Sequence, residues 1–190
     1  MTLAELLAEV YILTNRSDLV SQTTAAVRSA TLKLHQSDFF YKDIYETGIS
    51  FVAAEYIQDY EYRTYIPRFR SLKYLRKWDN VAATEGAFFD IITPEQVLDT
   101  YLIGRTDVAY VGGEVLHIKS STEFQYALFG CYLNPDVTVV GYSSWIAIDH
   151  PWAIIFEAAS SVTRMIGKLE VANGLKVLAA EQSTLLKNTN

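Results

Sequence analysis

Hydrophobic residues recur at helical spacing most clearly in residues 141–167, GYSSWIAIDHPWAIIFEAASSVTRMIG. Their apolar stripe consists of Trp152, Ile155, Phe156, Ala159, Val162 and Ile166. Pro151 suits the first turn of a helix, where its missing N–H is not needed, and Gly167 suits the end. Ser143 and Ser144 can cap a short turn just before it. Such a stripe needs other elements to cover it, so we expect this helix at the centre of the fold.

Three further helices are predicted at the two ends of the chain. Thr2 and Glu5 form a capping-box pattern ahead of a leucine-rich stripe, which predicts a helix over residues 2–14. A tight connection at residues 15–18 leads to a second helix over residues 18–36, and the short link predicts antiparallel neighbours. The last helix begins near residue 168, and Gly174 weakens it by about 1 kcal/mol. Its predicted apolar face comprises Val171, Leu175, Leu178 and Leu185.

The middle of the chain changes to strand-like patterns. Residues 41–51 predict a strand with Gly48 as a bulge or bend, and β-structure is favoured for the tyrosine-rich residues 55–77. The other predicted elements are a loop at 79–86, a short helix at 94–101, a hairpin of 108–111 with 115–119 around two glycines, and a strand at 124–132. The predicted fold class is α+β. One domain, residues 1–190, would contain a helical bundle (1–36 and 143–186) with an inserted β-rich lobe (about 38–140).

Composition places the chain among globular proteins. Hydrophobic residues make up 50% and charged residues 20%, and no apolar run approaches the ~20 residues that span a bilayer. The N-terminus has no signal-peptide pattern, and the single cysteine, Cys131, excludes an internal disulfide or a cysteine-based zinc cluster. We therefore expect a protein made in a cytoplasm, with no membrane partner, and we expect Cys131 to be an inert core thiol.

The charge disfavours a protein that grips nucleic acid. The formal net charge is −6, whereas phosphate binding normally requires a basic surface. The one basic cluster, within residues 63–77, alternates with Phe69, Leu72, Tyr74 and Leu75. We expect these basic residues to lie along one structural element and not to form a DNA-binding site.

Tyrosine is unusually frequent, with 13 residues in the chain, and five lie within residues 56–74: Tyr56, Tyr60, Tyr62, Tyr65 and Tyr74. Tyrosine is favoured in β-strands, and it is also enriched in the cores of protein–protein interfaces. The two interpretations are compatible, and these five residues are our first interface hypothesis.

No motif in the sequence carries a complete catalytic or metal-binding set. His35, His117 and His150 have no partner at metal-ligand spacing, so no metal or other cofactor is predicted. Asp149 and His150 with a serine would make a hydrolase hypothesis, but adjacent residues rarely point together and a capping role is favoured. Ser143 and Ser144 lack the GxSxG context of a nucleophile. We expect no catalytic activity.

Read as a whole, the chain resembles the head-to-tail adaptor (head-completion) proteins of tailed bacteriophages, particularly those of short-tailed phages with elongated heads. The resemblance covers about residues 3–166 and rests on three blocks in order. These are LAELLAEVYILTNRSDLVSQTTAAVRSATLKLHQSDFFYKDIYETGISF, IPRFRSLKYLRKWD and CYLNPDVTVVGYSSWIAIDHPWAIIFEAASSV.

This resemblance implies a structural protein at the head–tail junction of a virion, made in the cytoplasm of a bacterial host. Its partners would be the portal protein, neighbouring adaptor subunits in a homo-oligomeric ring of about twelve copies, and a tail or nozzle protein. DNA would pass through the channel without specific binding. We further expect residues 181–190, with an exposed pair formed by Leu185 and Leu186, to dock on the portal. The alternative is a ligand-binding or regulatory α+β module without catalysis, which predicts an apolar pocket.

Overall fold

The N-terminal helix begins where its capping pattern predicts. In the computed structural model, which describes residues 1–79 and 84–188, α1 spans Leu3–Thr14. The hydroxyl of Thr2 accepts the Glu5 N–H, the Glu5 carboxylate accepts the Thr2 N–H, and Asn15 ends the helix in the left-handed conformation. The next helix, α2, spans Val20–His35. Both predicted N-terminal helices are therefore confirmed.

The fold is α+β, and the chain divides into two compact units. The helical unit comprises residues 1–43 and 134–190, and the sheet unit comprises residues 44–133. The helical unit contains α1, α2, a 3₁₀ turn (Tyr41–Asp43), α4 (Trp145–Asp149), α5 (Pro151–Met165) and α6 (Leu169–Lys187). The sheet unit contains β1 (Ile44–Tyr60), α3 (Tyr62–Tyr65), β2 (Phe69–Asp79), β3 (Thr84–Phe88), β4 (Asp90–Ile91), a 3₁₀ turn (Pro94–Val97), β5 (Val108–Gly112) and β6 (Val115–Leu133).

Helix α5 lies at the centre of the helical unit, as predicted, and packs against α1, α2, α4 and α6. Its buried side chains contact residues of the other helices in one aliphatic core that includes Leu6, Val10 and Val27. The predicted stripe of α5 is corrected at three places: Trp152 is 43% exposed, Phe156 is only partly buried, and Ile166, also partly buried, follows the last residue of the helix. The residues that are buried in α5 form a wider face, which comprises Ala153, Ile154, Ile155, Ala158, Ala159, Ser160, Val162 and Thr163.

The predicted apolar face of α6 is correct at Leu175 and wrong at its other three positions. Ala172, Leu175, Ala179 and Leu186 are buried, whereas Val171, Leu178 and Leu185 face solvent. Small alanines let α6 approach α5 closely, and the buried Ser160 hydroxyl donates to the carbonyl of Ala172 at 2.9 Å. Close backbone approach at the alanines thus helps to decide which face of α6 is buried, and Val171, Leu178 and Leu185 remain outside.

Strand β6 organises the sheet unit. It pairs antiparallel with β1 along both of its halves, from Ile44 opposite Tyr132 to Tyr60 opposite Leu116. Strands β2 and β5 therefore share the opposite edge of β6, and β3 and β4 continue the sheet from them, with β4 parallel to β5. The hairpin of β5 and β6 is confirmed, although Gly112 still pairs with Val115 and the turn residues are Gly113 and Glu114.

The bulge in β1 does not lie at Gly48, whose register with Leu128 is regular. The register shifts instead between Ser50 and Ile57. Two side-chain amides support the displaced backbone there: Gln58 donates to the Ala53 carbonyl at 2.8 Å, and Gln125 donates to the Phe51 carbonyl at 3.1 Å. The position of the bulge thus follows from polar side chains that satisfy unpaired carbonyl groups.

Three other predicted boundaries change. Residues 41–43 form a 3₁₀ turn rather than strand, and β1 continues to residue 60. The predicted loop at 79–86 lies partly in β3 and partly at residues 80–83, outside the described residues. The predicted helix at 94–101 is only a 3₁₀ turn, Pro94–Val97, capped by Thr93 and Gln96.

Candidate functional site

The five tyrosines of the interface hypothesis lie in the sheet unit but do not form one surface. Tyr56 and Tyr65 are exposed, Tyr60 stacks on Tyr65 with ring centroids 5.4 Å apart, and Tyr62 is buried in the sheet core. Tyr62 is therefore corrected from a surface contact to a core residue, since its ring packs on Phe69 at 4.2 Å. Burial of Tyr60 raises the pKa of its phenol.

Tyr74 takes part in a contact across three strands. Its ring lies over Gly130 of β6, where a Cβ atom would overlap the ring, and its hydroxyl donates to the carboxylate of Glu46 on β1. Gly130 is needed here for close approach rather than for backbone flexibility. Tyr74 therefore stabilises the sheet, and only part of its ring faces outward.

A depression of about 590 Å³ adjoins the exposed tyrosines. It is lined almost entirely by residues of β1, including Phe51, Glu55 and Tyr60, and by Tyr65. Its mixed polar and aromatic lining differs from the apolar pocket that the ligand-binding alternative predicts.

The two leucines of the predicted tail contact have different environments. Leu185 is exposed, but Leu186 is fully buried in the core of the helical unit. The expectation of an exposed leucine pair is therefore wrong for Leu186. Residues up to 187 belong to α6, and residues 189–190 lie outside the described part of the chain.

Residues 98–103 of the sheet unit form a second apolar surface that the sequence analysis missed. We call it the apolar tip. Its four large side chains are exposed to 49% (Leu98), 83% (Tyr101), 78% (Leu102) and 64% (Ile103). By its composition, the run LDTYLIG resembles a buried segment. Only the structure, in which these residues lie outside the sheet, shows that their side chains are exposed.

A buried polar network in the helical unit was also missed. Asp43 Oδ1 lies 2.7 Å from His35 Nδ1, and His35 Nε2 lies 2.9 Å from Ser144 Oγ. The indole N–H of Trp145 donates to the same Asp43 oxygen at 2.8 Å. Asp43 Oδ1 can accept from a proton on His35 Nδ1, and in that neutral tautomer Nε2 accepts from the Ser144 hydroxyl. No spacing rule could find this set, since its members are separated by 8 and 109 residues.

This network has the atom order of a serine–histidine–aspartate triad, but the surroundings of Ser144 indicate a structural role. The side chains of His35 and Asp43 are only 2% and 3% exposed, and Ser144 is buried as well. Ser144 Oγ also accepts the Ala147 N–H and so caps α4. The network thereby joins the end of α2, the 3₁₀ turn and α4; its His35 contacts are buried, and the Trp145–Asp43 hydrogen bond is partly buried.

Asp149 and His150, the pair of the hydrolase hypothesis, do not join this network. Asp149 accepts from Lys42 Nζ at 2.6 Å, and this hydrogen bond lowers the pKa of the Asp149 carboxyl. His150 lies at the junction of α4 and α5, with its ring 6.4 Å from that of Trp145. His35 is the last residue of α2, and its ring contacts the Asp43 carboxylate instead of a residue of this pair.

Several predicted chemical environments can be compared directly with the structure. Cys131 is fully buried in the sheet core, and this burial raises the pKa of its thiol to about 11. His117 lies on β6 beside Asp59, with 2.7 Å between Nδ1 and Oδ1. Among the described residues, no group of His, Cys, Asp and Glu side chains is arranged to hold a metal ion. The described helices include none with the length and apolar character needed to span a bilayer.

Comparison with known proteins adds no relationship: no protein-family model and no curated protein gives a significant match to this chain.

Proposed function

We propose that this chain is a head-to-tail adaptor of a tailed bacteriophage, a structural protein that forms a ring below the portal. In this proposal the ring extends the DNA channel and provides the platform for tail attachment. The terminal helical pairs act together as one bundle, and the β-rich lobe is inserted between them in the sequence. The three-block resemblance supplies the family, and the surfaces described above support it.

The observation that carries the proposal is the presence of two unlike apolar surfaces, one on each unit. The sheet unit carries the apolar tip, and the helical unit carries the exposed side of α6 with Val171, Leu178 and Leu185. A ring of identical subunits needs two different, complementary surfaces on each copy, whereas a simple dimer needs only one. Monomeric soluble proteins rarely expose large contiguous apolar surfaces, and such surfaces usually mark sites of contact with another protein.

The remaining interface residues fit the same role. Tyr56, Tyr60 and Tyr65 offer an aromatic surface for a neighbouring subunit or the tail protein, and Leu185 offers an anchor for the portal. The net charge of −6 suits a channel through which DNA slides without binding.

Portal binding tests the proposal. Because Leu186 is buried, deletion of residues 181–190 would remove a core residue together with the surface. We therefore choose Leu185→Glu, with Thr184→Glu as a matched control on the same exposed turn. Wild type and the control are expected to sediment with purified portal rings, and Leu185→Glu is expected to remain in the supernatant. Wild-type protein that never sediments with the portal would reject the adaptor function.

A serine hydrolase is the second candidate, because the order Ser144–His35–Asp43 is the arrangement that activates a serine. A fluorophosphonate probe separates the two functions. If the network is structural, Ser144 stays unlabelled in the folded protein, and Ser144→Ala lowers thermal stability. Labelling of wild type that is lost in both Ser144→Ala and His35→Ala would favour the hydrolase.

A further inference from the structure

The depression beside β1 is lined by carboxylates without a cation of its own. Glu55, Asp59 and Glu61 all line it, and the described lining residues include no lysine, arginine or histidine. Asp59 is paired from outside the lining by His117, with 2.7 Å between Oδ1 and Nδ1, whereas Glu55 and Glu61 form no ion pair with any described residue. Two carboxylates are therefore available to a positively charged ligand.

One deeply buried side chain of the lining gives the depression an oriented acceptor. Gln58 is only 8% exposed, and its Nε2 donates to the Ala53 carbonyl at 2.8 Å and to the Phe124 carbonyl at 3.2 Å. Since only the nitrogen can donate to a carbonyl group, these two bonds identify the two ends of the amide. The other end, Oε1, accepts from no described residue and is not enclosed by protein, so it opens into the depression.

The bulge of β1 uses only the nitrogen end of this amide, which leaves the oxygen end for another role. Buried side-chain acceptors are nearly always hydrogen-bonded in proteins, so Oε1 of Gln58 calls for a donor from outside the chain. Its direction is fixed before that donor arrives, because the two carbonyl contacts hold the amide in place. A preorganised acceptor loses little conformational freedom on binding, and this is a property of a recognition site.

Three aromatic rings line the same depression and contact one another. The ring centroids of Phe51 and Tyr60 lie 6.5 Å apart, and Tyr60 stacks almost parallel on Tyr65 at 5.4 Å. Tyr65 is 70% exposed, so most of its ring remains available for contact. Aromatic faces attract cations, and a guanidinium group stacks on them more readily than an ammonium group because it is more weakly hydrated.

We propose that this depression binds the guanidinium group of an arginine side chain presented by a partner protein. The planar guanidinium has five N–H donors and no acceptor, which matches a lining that offers acceptors and aromatic faces. It donates to Gln58 Oε1 and to the carboxylates of Glu55 and Glu61, and it lies against the ring of Tyr65. The site goes beyond the adaptor function and does not depend on it.

Other classes of ligand fit this lining less well. The carboxylates repel the phosphates of nucleic acids and of anionic lipids, which bind basic surfaces. A neutral polyol can donate to Gln58, but it leaves Glu55 and Glu61 without an opposite charge, and hydrogen bonds between charged partners are the stronger ones. The combination of carboxylates, one preset amide oxygen and aromatic rings therefore favours a flat cation.

Small probes test the chemistry of the ligand. In a heteronuclear NMR titration of the full chain, Nα-acetyl-arginine amide is expected to give saturable shifts of the Gln58 side-chain amide and of the Tyr65 backbone amide. The citrulline analogue has the same shape without the charge, and it should bind at least about tenfold more weakly because it loses charge-assisted hydrogen bonds. The lysine analogue should also bind more weakly. Equal binding of the arginine and citrulline probes, or no saturable shift with arginine at about 10 mM, would overturn the proposal.

Paired variants separate this site from a general effect of charge. Glu55→Gln with Glu61→Gln keeps the shape of the lining and should weaken arginine binding at least about tenfold. Glu114→Gln with Glu181→Gln is the matched control, because it changes the net charge equally at two exposed positions outside the lining. Equal weakening by both pairs would contradict a defined site.

The aromatic contribution needs its own variant. Tyr65→Leu keeps an apolar side chain but removes the ring, and it should weaken arginine binding about two- to fivefold. An unchanged affinity would remove the ring from the site. Gln58 is left intact in these variants, because its amide also supports the bulge of β1.

Sedimentation with the same probes identifies the source of the arginine. Oligomers that the arginine probe dissociates and the citrulline probe leaves intact would assign it to a second copy of this chain. A monomer that binds the arginine probe would assign it to a different protein, and both results support the site. Portal rings take no part in these measurements, so a failed portal test leaves the arginine site standing. Failure of the arginine probe likewise leaves the adaptor function untouched.

Discussion

Helices α5 and α6 are neighbours in the same unit and are both rich in apolar residues, yet they use those residues differently. Helix α5 buries a broad face with Ile154, Ile155 and Val162, and only its margin carries exposed aromatic rings. Helix α6 buries a narrow line of two alanines and two leucines and exposes Val171, Val177, Leu178 and Leu185. An apolar stripe therefore predicts buried residues only where other elements surround the helix. On an outer helix the stripe can remain exposed, where it is available for contact with a partner.

The strongest test of this comparison replaces a large side chain on each helix. Ile155→Ala should lower the free energy of unfolding by about 3–4 kcal/mol, because it leaves a cavity among fully buried neighbours. Leu178→Ala on α6 should change it by less than about 0.5 kcal/mol, since the side chain already faces water. Urea denaturation followed by circular dichroism measures both. Equal losses would show that the exposed stripe of α6 is part of the subunit core.

A charged contact that joins the two helices gives a smaller effect. Glu157 of α5 accepts from Lys33 at 2.5 Å and from Lys176 of α6 at 2.7 Å, and its side chain is 12% exposed. Glu157→Gln should cost about 1–2 kcal/mol, because two ammonium groups lose their shared partner. Glu181→Gln, an exposed position of α6, is the control and should change stability little.

The same contact sets a pH dependence. Desolvation opposes ionisation of Glu157, but the hydrogen bonds from Lys176 and Lys33 outweigh it and lower the pKa of the carboxyl. The folded-state pKa lies below the unfolded value of about 4.3, so this stabilisation is present above that pH and is lost as pH falls through the folded pKa. The gap between wild type and Glu157→Gln should therefore close on acidification. A gap that stays constant from pH 7 to pH 3 would contradict this account.

Trp152 tests the margin of α5. A buried tryptophan replaced by alanine costs about 3–5 kcal/mol, but Trp152 is exposed on one side and packs mainly on Phe156, with ring centroids 5.3 Å apart. Trp152→Ala should therefore cost only about 1 kcal/mol. A loss as large as that of Ile155→Ala would place Trp152 in the core after all. Thermal and urea unfolding both report it.

The smallest effect should be a gain in stability on the outer helix. Gly174→Ala should stabilise the protein by roughly 0.5–1 kcal/mol, because alanine loses less backbone freedom in a helix and the space is open. Gly130→Ala is the opposite control, since its methyl group would overlap the Tyr74 ring and should destabilise by about 1–3 kcal/mol. Destabilisation by Gly174→Ala would show that another part of the subunit comes too close to Gly174 for a methyl group to fit.

Local signals in the sequence determined much of this fold. The capping box of Thr2 and Glu5 and Pro151 at the start of α5 lie where their chemistry predicts, whereas the turn between β5 and β6 lies one residue later than the predicted two-glycine turn. These features depend on hydrogen bonds and dihedral preferences within a few residues, so no distant contact is needed to specify them. The α+β class follows from the same periodicities.

Tertiary structure alone decided which apolar surfaces are covered and which polar groups meet. Periodicity defines a stripe on α6, but the close approach of Ala172 to Ser160 selects the neighbouring line as the buried one. Tyr62 and Leu186 are likewise core residues because contacts with distant parts of the chain cover them. Such contacts also bring His35, Asp43 and Ser144 together, although His35 and Ser144 are 109 residues apart in the sequence. Whether a residue is buried depends on which other parts of the chain pack over it. A one-dimensional pattern of apolar residues carries no information about those distant contacts.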